Sequence, residues 1–272
     1  MPPDPLPIGV LLCPPDHFDV VDVKNPHMAA HAGSVDRALA RAQWEELARA
    51  FTECGLAVER IDAQPGLEDM VFAANQTFTG LDASGRRTCL LSQMRHPSRQ
   101  REVPFFREWF RSRAWRVAES SLMFEGSGDA VWQPGVRRIW MGYGFRSERS
   151  AREGLARTFG AEVLSLRLVD ERYYHLDTCL CPVDARTAMV AMEAFDDEGR
   201  ALLRRHFERL VETEEPFACN GVPVRGGIVI LDRRATAAAR RLGALGFDVR
   251  PVDTGEFLKS GGSVFCLKQW LW

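Results

Sequence analysis

At 272 residues and 46% hydrophobic, the chain carries enough apolar mass for a large core, and fits one large domain or two small ones. With 35 Lys+Arg against 37 Asp+Glu the formal net charge is −2, which excludes the basic footprint of a nucleic-acid binder. Seven scattered cysteines, none in a paired spacing, exclude a disulfide scaffold and point to a reduced, cytoplasmic setting.

Short β-type runs alternate with amphipathic helices. Residues 8–13 read as a buried strand, and the opening Met-Pro-Pro-Asp-Pro-Leu-Pro lacks the basic and apolar regions of a signal peptide. Ser34 is placed as the N-cap of a helix whose apolar face is Ala40, Trp44, Leu47, Ala48, Phe51 and Cys54, with Gly55 closing it. Strands follow at 57–61, 70–78 and 88–92, then a helix over 101–113 and strands near Val117, at 130–132 and at 138–143. A helix over 148–159 leads to strands at 162–166, 178–182 and 187–191. Helices at 198–212 and 234–245 and strands at 222–231, 248–252 and 264–267 finish the order, while 97–102 and 196–199 read as surface loops. No apolar run is long enough to span a bilayer, so no membrane partner is expected.

The helices recur roughly every 50 residues with two or three strands between, a beat of ββαβ-like modules rather than of a Rossmann sheet. No Gly/Ser linker or charge run marks a boundary, so residues 1–272 are expected to form a single domain.

Cys266 follows a Gly-Gly turn in Lys-Ser-Gly-Gly-Ser-Val-Phe-Cys (259–266), at a strand start where a nucleophile can be displayed. His175 lies in Tyr-Tyr-His-Leu-Asp-Thr-Cys-Leu-Cys (173–181), where strand alternation puts His175, Asp177, Cys179 and Cys181 on one face. Neighbouring same-face residues are about 6.6 Å apart, too far for all four to reach one ion at about 2.0–2.3 Å, so no metal is expected there. Asp177 is read as a holder of the imidazole; a satisfied core histidine is the plainer alternative. Glu125 and Asp129 flank the glycines of Phe-Glu-Gly-Ser-Gly-Asp (124–129), a turn that presents both carboxylates around one concavity. There they could grip a cation, serve as acid and base or bind a hard metal, unless the segment is an ordinary acidic loop. Asn75 ends an apolar strand and needs hydrogen-bond partners if buried, although both it and Asn25 also suit turns. Arg95, Arg99, Arg101 and Arg146 could grip a carboxylate, with most of the chain's cations left to solvent.

Taken together, these segments resemble the guanidine-modifying enzymes of the pentein superfamily, which include arginine deiminases, dimethylarginine dimethylaminohydrolases, amidinotransferases and arginine dihydrolases. The resemblance runs through Cys-Pro-Pro-Asp-His-Phe (13–18), Asn-Pro-His-Met (25–28), Asp-Met-Val-Phe-Ala-Ala-Asn (69–75), residues 124–129, Gly-Tyr-Gly-Phe-Arg-Ser (142–147), Tyr-His-Leu-Asp-Thr-Cys (174–179) and the Cys266 segment. It implies an α/β fold, a five-bladed α/β propeller with the site at its centre. It further implies Cys266 as a thiolate that attacks a guanidinium carbon and forms a thiouronium-like adduct. His175 would carry a proton to the departing amine and then activate water, and Glu125 would accept hydrogen bonds from the guanidinium. Neither metal nor other cofactor is implied. Arg146 matches the family's arginine for the substrate α-carboxylate, with Arg95 or Arg99 joining it, and Asn25, Asn75, Asp129 and Asp177 complete the expected pocket.

Position 75 is a departure. Many deiminases and dimethylarginine hydrolases place an aspartate there, whereas a carboxamide does not pair electrostatically with a cation. The branch with Thr-Ala-Asn resembles the arginine dihydrolases, which take arginine to ornithine, ammonia and carbon dioxide; Ala73 replaces that threonine, and Gln76 and Ser263 also differ. The leading expectation is a cysteine hydrolase of arginine or an Nω-methylated arginine, giving citrulline or ornithine. Amidino transfer to an amine acceptor and a silent guanidino-ligand binder are the alternatives. Homo-oligomerisation is left open.

Overall fold

Antiparallel strands need only a tight turn between them, whereas a parallel pair needs a crossover of about a dozen residues or more, usually a helix. The computed structural model, which describes residues 6–272, repeats that rule five times; most of the opening heptapeptide lies outside the described residues. The strands are β1 (Gly9–Leu12), β2 (Ala57–Arg60), β3 (Thr77–Leu81), β4 (Arg87–Leu91), β5 (Arg116–Glu119), β6 (Ala130–Trp132), β7 (Arg138–Tyr143) and β8 (Glu162–Arg167). They continue as β9 (Leu180–Pro182), β10 (Thr187–Val190), β11 (Arg209–Glu212), β12 (Val222–Val224), β13 (Ile228–Asp232), β14 (Asp248–Val252) and β15 (Lys268–Leu271). They form five three-stranded sheets. In each, the middle strand is antiparallel to one neighbour and parallel to the other. The parallel step always crosses over a helix: Arg37–Glu53, Val103–Ser112, Ala151–Phe159, Asp197–His206 or Thr236–Ala244.

The first sheet is completed from the far end of the chain, because β15 pairs antiparallel with β1 while β1 pairs parallel with β2. β15 also packs on β3, and β9 packs on both β6 and β12. The antiparallel strands therefore line the centre, and the fold is a five-bladed α/β propeller. The helix Arg37–Glu53 buries Ala40, Trp44, Leu47, Ala48 and Phe51 in the cluster that holds Val10 and Leu12. Among the described residues, no helix is long and apolar enough to cross a membrane.

Several boundaries differ from the sequence reading. The first helix is capped by Asp36, whose carboxylate accepts from Leu39 N at 3.0 Å, and not by Ser34, which donates to His31 O. Residues 70–78 are not one strand: a 3-10 turn, Glu68–Val71, precedes β3. The segment 97–102 opens with a helical turn, Pro97–Gln100, that buries Arg99. The fourth-blade helix ends at His206 because β11 must pair with β10. The apolar run 222–231 is a hairpin, turned at Gly226 and Gly227 with φ of 80° and 78°. The run 264–267 is a turn, and the strand begins only at Lys268.

Candidate active site

Each central strand is entered from a short turn that carries polar side chains. Asn75 precedes β3, Glu125 precedes β6, His175 and Asp177 precede β9, Asn220 precedes β12 and Cys266 precedes β15. Because these strands run in one sense around the ring, five segments far apart in sequence meet at one end of it.

Cys266 sits behind a turn that tolerates little else. A Cβ on Gly262 would collide with the Phe72 ring, and Gly261 has a φ of 80° against Asn25. The thiol donates to Asp177 Oδ2 at 3.1 Å and receives Asn220 Nδ2 at 3.1 Å. Burial, reinforced by the Asp177 carboxyl, pushes this thiol well above the ordinary cysteine value. The resting group is therefore a protonated thiol. Burial also raises Asp177, to about 7.

His175 Nε2 meets Glu125 Oε2 at 2.7 Å, and both side chains are buried. Burial disfavours the Glu125 charge, but Arg146, foremost, and the His175 hydrogen bond outweigh it and hold the carboxyl well below the usual range. The imidazole moves down to about 4, because its own burial outweighs the attraction of Glu125. An ionised carboxylate can only accept, so Nε2 carries the proton and Nδ1 keeps its lone pair.

One expected role is corrected by this geometry. The imidazole is held by Glu125 rather than by Asp177, which faces the thiol. The backbone at Leu176–Thr178 is a 3-10 turn, so successive residues rotate around an axis instead of alternating across a strand. Glu125 also accepts from Arg146 Nη1 at 3.0 Å and from Arg95 N at 2.9 Å, so the carboxylate orients the imidazole and two neighbouring segments together. Asp129 lies near it, joined through Ser147, whose Oγ accepts from Glu125 N at 3.0 Å. Its oxygens accept from Ser147 Oγ at 2.6 Å and Leu176 N at 3.2 Å, clasping the turn that bears His175.

The arginines divide by position. Arg146 is buried, donates to Lys24 O at 2.6 Å and lies over the Tyr174 ring at 4.9 Å. Arg95 is exposed and donates to Phe145 O at 2.6 Å, on the rim. Arg99 is buried against Glu102 and donates to Asn75 Oδ1 at 2.7 Å. Arg101 reaches Gly66 O at the surface and takes no part. Asn25 Nδ2 donates to Ser260 O at 3.0 Å, beside the Cys266 turn.

Lys24, Asp69, Asn75, Arg146, Tyr174 and Cys266 line a narrow space of about 20 Å³, room for roughly one water. A larger cavity of about 420 Å³ is lined by Trp132, Phe247, Phe265, Trp270 and Trp272, but it gathers none of the polar cluster. Among the described residues no group of three or more His, Cys, Asp or Glu side chains could hold a metal ion.

Gly128 lets the cluster close. A Cβ there would run into Asn75 Nδ2 and stand 3.1 Å from His175 Nδ1. Asn75 cannot retreat, since Arg99 holds its other end. Gly128→Ala is therefore expected to lower kcat/KM by about 10²-fold, the cost of displacing a reacting group by roughly 1 Å. Steady-state kinetics beside a thermal melt checks this, and wild-type kinetics would contradict it.

Sequence reading passed over Asn220, Asp69, Lys24 and Tyr174. The signal for Asn220 was present: Phe217-Ala-Cys-Asn220 stands before β12 as Phe72-Ala-Ala-Asn75 stands before β3.

Comparison with known proteins places this arrangement. The family model described as N,N dimethylarginine dimethylhydrolase, eukaryotic, matches residues 22–268. The bifunctional arginine dihydrolase/ornithine cyclodeaminase ArgZ of Synechocystis sp. is 39% identical over 270 residues, which cover 96% of this chain and 37% of that protein. The chain thus spans little more than a third of that relative. The N(G),N(G)-dimethylarginine dimethylaminohydrolase of Mycobacterium tuberculosis is 34% identical over 258 residues, covering 94% of this chain and 83% of that one. Among solved structures, the N-terminal domain of a cysteine-to-serine mutant of ArgZ bound to substrate superposes with a TM-score of 0.91 at 36% identity, covering 97% of this chain and 98% of that one. The dimethylarginine hydrolase of Pseudomonas aeruginosa, complexed with citrulline, shares the fold at a TM-score of 0.79 and 19% identity, covering 98% of this chain and 100% of that one. The chain belongs to the N,N dimethylarginine dimethylhydrolase family, pentein-fold C–N hydrolases of guanidino groups.

Proposed function

We propose that the chain is an arginine dihydrolase, converting L-arginine and two waters to ornithine, two ammonia and carbon dioxide. The observation that carries this reading is the orientation of Asn75. Arg99 has only donors, so the atom it meets at 2.7 Å must be the amide oxygen. Asn75 Nδ2 therefore faces the cluster as a donor, buried and without an acceptor among the described residues. A guanidinium offers only N–H groups and gives it nothing to donate to. The oxygen of a ureido group does. Asn75 thus suits retention of the citrulline-level intermediate for a second attack. The relatives support the same reading: an asparagine-to-serine variant of the ArgZ N-terminal domain is covalently bound to a reaction intermediate.

In this mechanism Cys266 Sγ attacks the guanidinium carbon, and the thiol proton ends on the departing ammonia with His175 as carrier. The cationic substrate beside a buried sulfur favours the thiolate that the resting site disfavours. Water then adds to the thiouronium carbon, His175 Nδ1 accepts its proton, and the C–S bond breaks to give the ureido compound and the free thiol. A second thiol attack and hydrolysis at the ureido carbon releases the other ammonia, ornithine and carbon dioxide. Arg146, freed in part from Glu125, would take the substrate carboxylate.

Product analysis with L-arginine and no added metal tests the reading. The expected result is ornithine with two ammonia per arginine and no accumulating citrulline; citrulline alone, or amidino transfer to added glycine, would overturn it. The family match favours methylated arginine as a second substrate, tested by assaying dimethylarginine in parallel. Asn75→Asp is expected to shift the product of arginine from ornithine to citrulline, read by amino-acid chromatography, because an ionised carboxylate cannot donate to the ureido oxygen.

A further inference from the structure

We propose that Asn220 is a catalytic residue: its side-chain amide is the fixed donor that steadies the Cys266 thiolate. This goes beyond the dihydrolase reading and rests only on Cys266 being the nucleophile.

The orientation of the Asn220 amide is settled by what surrounds it. Its Oδ1 accepts three backbone N–H groups, from Ser263 at 3.1 Å, Phe265 at 3.1 Å and Cys266 at 3.2 Å. No NH2 group could take that place. Nδ2 must then face the other way, and its two hydrogens have two acceptors: Asp177 O at 3.0 Å and Cys266 Sγ at 3.1 Å. The side chain is 1% exposed, so water does not compete for these bonds. Its own backbone oxygen receives Phe265 N at 2.9 Å, which makes donor and nucleophile one rigid unit.

In the resting state the bond from Nδ2 to a neutral thiol is weak. Once the proton leaves, the same contact becomes a charge-assisted hydrogen bond to an anion. The donor is already in place, so it gains strength without reorganising, as in an oxyanion hole. Asp177 cannot serve in this way while ionised, since it then only accepts. The sulfur's second partner would repel the thiolate, and Asn220 offsets it.

Asn220 also ties down the 263–266 turn, so the test must separate the donor from the tie. Asn220→Asp keeps an oxygen for the three N–H groups and exchanges the donor for an acceptor that adds negative charge, so both changes act against the thiolate. The donor role predicts that Asn220→Asp melts near wild type while kcat/KM falls by about 10²–10³-fold. Alkylation of Cys266 by iodoacetamide, followed by peptide mass spectrometry without substrate, is expected to slow by about tenfold or more, one unit of thiol pKa. Alkylation and kcat/KM both within about threefold of wild type would overturn the proposal. Asn220→Ala supplies an independent reading should the aspartate variant fail to fold. A lost donor slows alkylation of Cys266, whereas a merely loosened turn uncovers the 2% exposed thiol and speeds it. Because alkylation needs no arginine turnover, this outcome stands apart from whether the protein is a dihydrolase.

Discussion

Cys266→Ala is expected to abolish arginine turnover, by about 10⁴-fold or more, with the fold retained. A guanidinium carbon is stabilised by resonance and is a poor electrophile, so no neighbouring group substitutes for the sulfur. Removing one buried sulfur leaves a small void. The turn that carries it keeps its three N–H bonds to Asn220 Oδ1, none of which involves Sγ. Near-wild-type melting beside lost turnover is the predicted pair of results. Residual turnover above about 1% would place the nucleophile elsewhere.

His175→Ala carries the next largest effect, a fall in kcat of about 10³-fold, within the range of a lost general acid–base group. The fold survives because Glu125 keeps Arg146 Nη1 and the Arg95 N–H. A pH signature accompanies the loss. The folded imidazole titrates near 4, below its ordinary 6.5, so the unfolded chain binds the extra proton first. The neutral imidazole therefore stabilises the fold fully above about pH 6.5, and that contribution is lost as pH falls toward about 4. Glu102 and Asp177, both raised to about 7, work in the opposite sense, contributing most at low pH and losing it as pH rises. Subtracting the variant's urea midpoint from the wild-type midpoint isolates His175. The difference should shrink as pH is lowered through that window, and a difference that grows would contradict the assignment.

The rhythm of helix-linked modules was legible in the sequence because each parallel pairing demands a helix, and helices announce themselves by apolar spacing; that there are five blades came from the resemblance. Cys266, His175, Asp177 and Glu125 stood out singly because glycines and isolated polar residues interrupt apolar runs there, and only the resemblance to guanidine-modifying enzymes joined them into one site. Their pairing was not. Whether Asp177 faces the imidazole or the thiol depends on a single 3-10 turn at Leu176–Thr178, and alternation on a strand predicts the wrong neighbour. The partners of Glu125 were not legible because Arg146 and the Arg95 amide come from segments 21 and 30 residues away. Arg99 and Arg95 could not be ranked, since the helical turn Pro97–Gln100 decides which one is buried. The Phe-Ala-Cys-Asn segment marked Asn220 as a counterpart of Asn75, but its partner was not legible, since Cys266 lies 46 residues away along the chain.

Covalent attack by Cys266 is the step on which turnover depends, and rapid acid quenching of arginine turnover followed by intact-protein and peptide mass spectrometry tests it most directly. The prediction is a transient adduct equal to arginine less one ammonia, on the peptide carrying Cys266 and absent from Cys266→Ala. Steady turnover with Cys266 unmodified at every quench time, or an adduct on another residue, would contradict it.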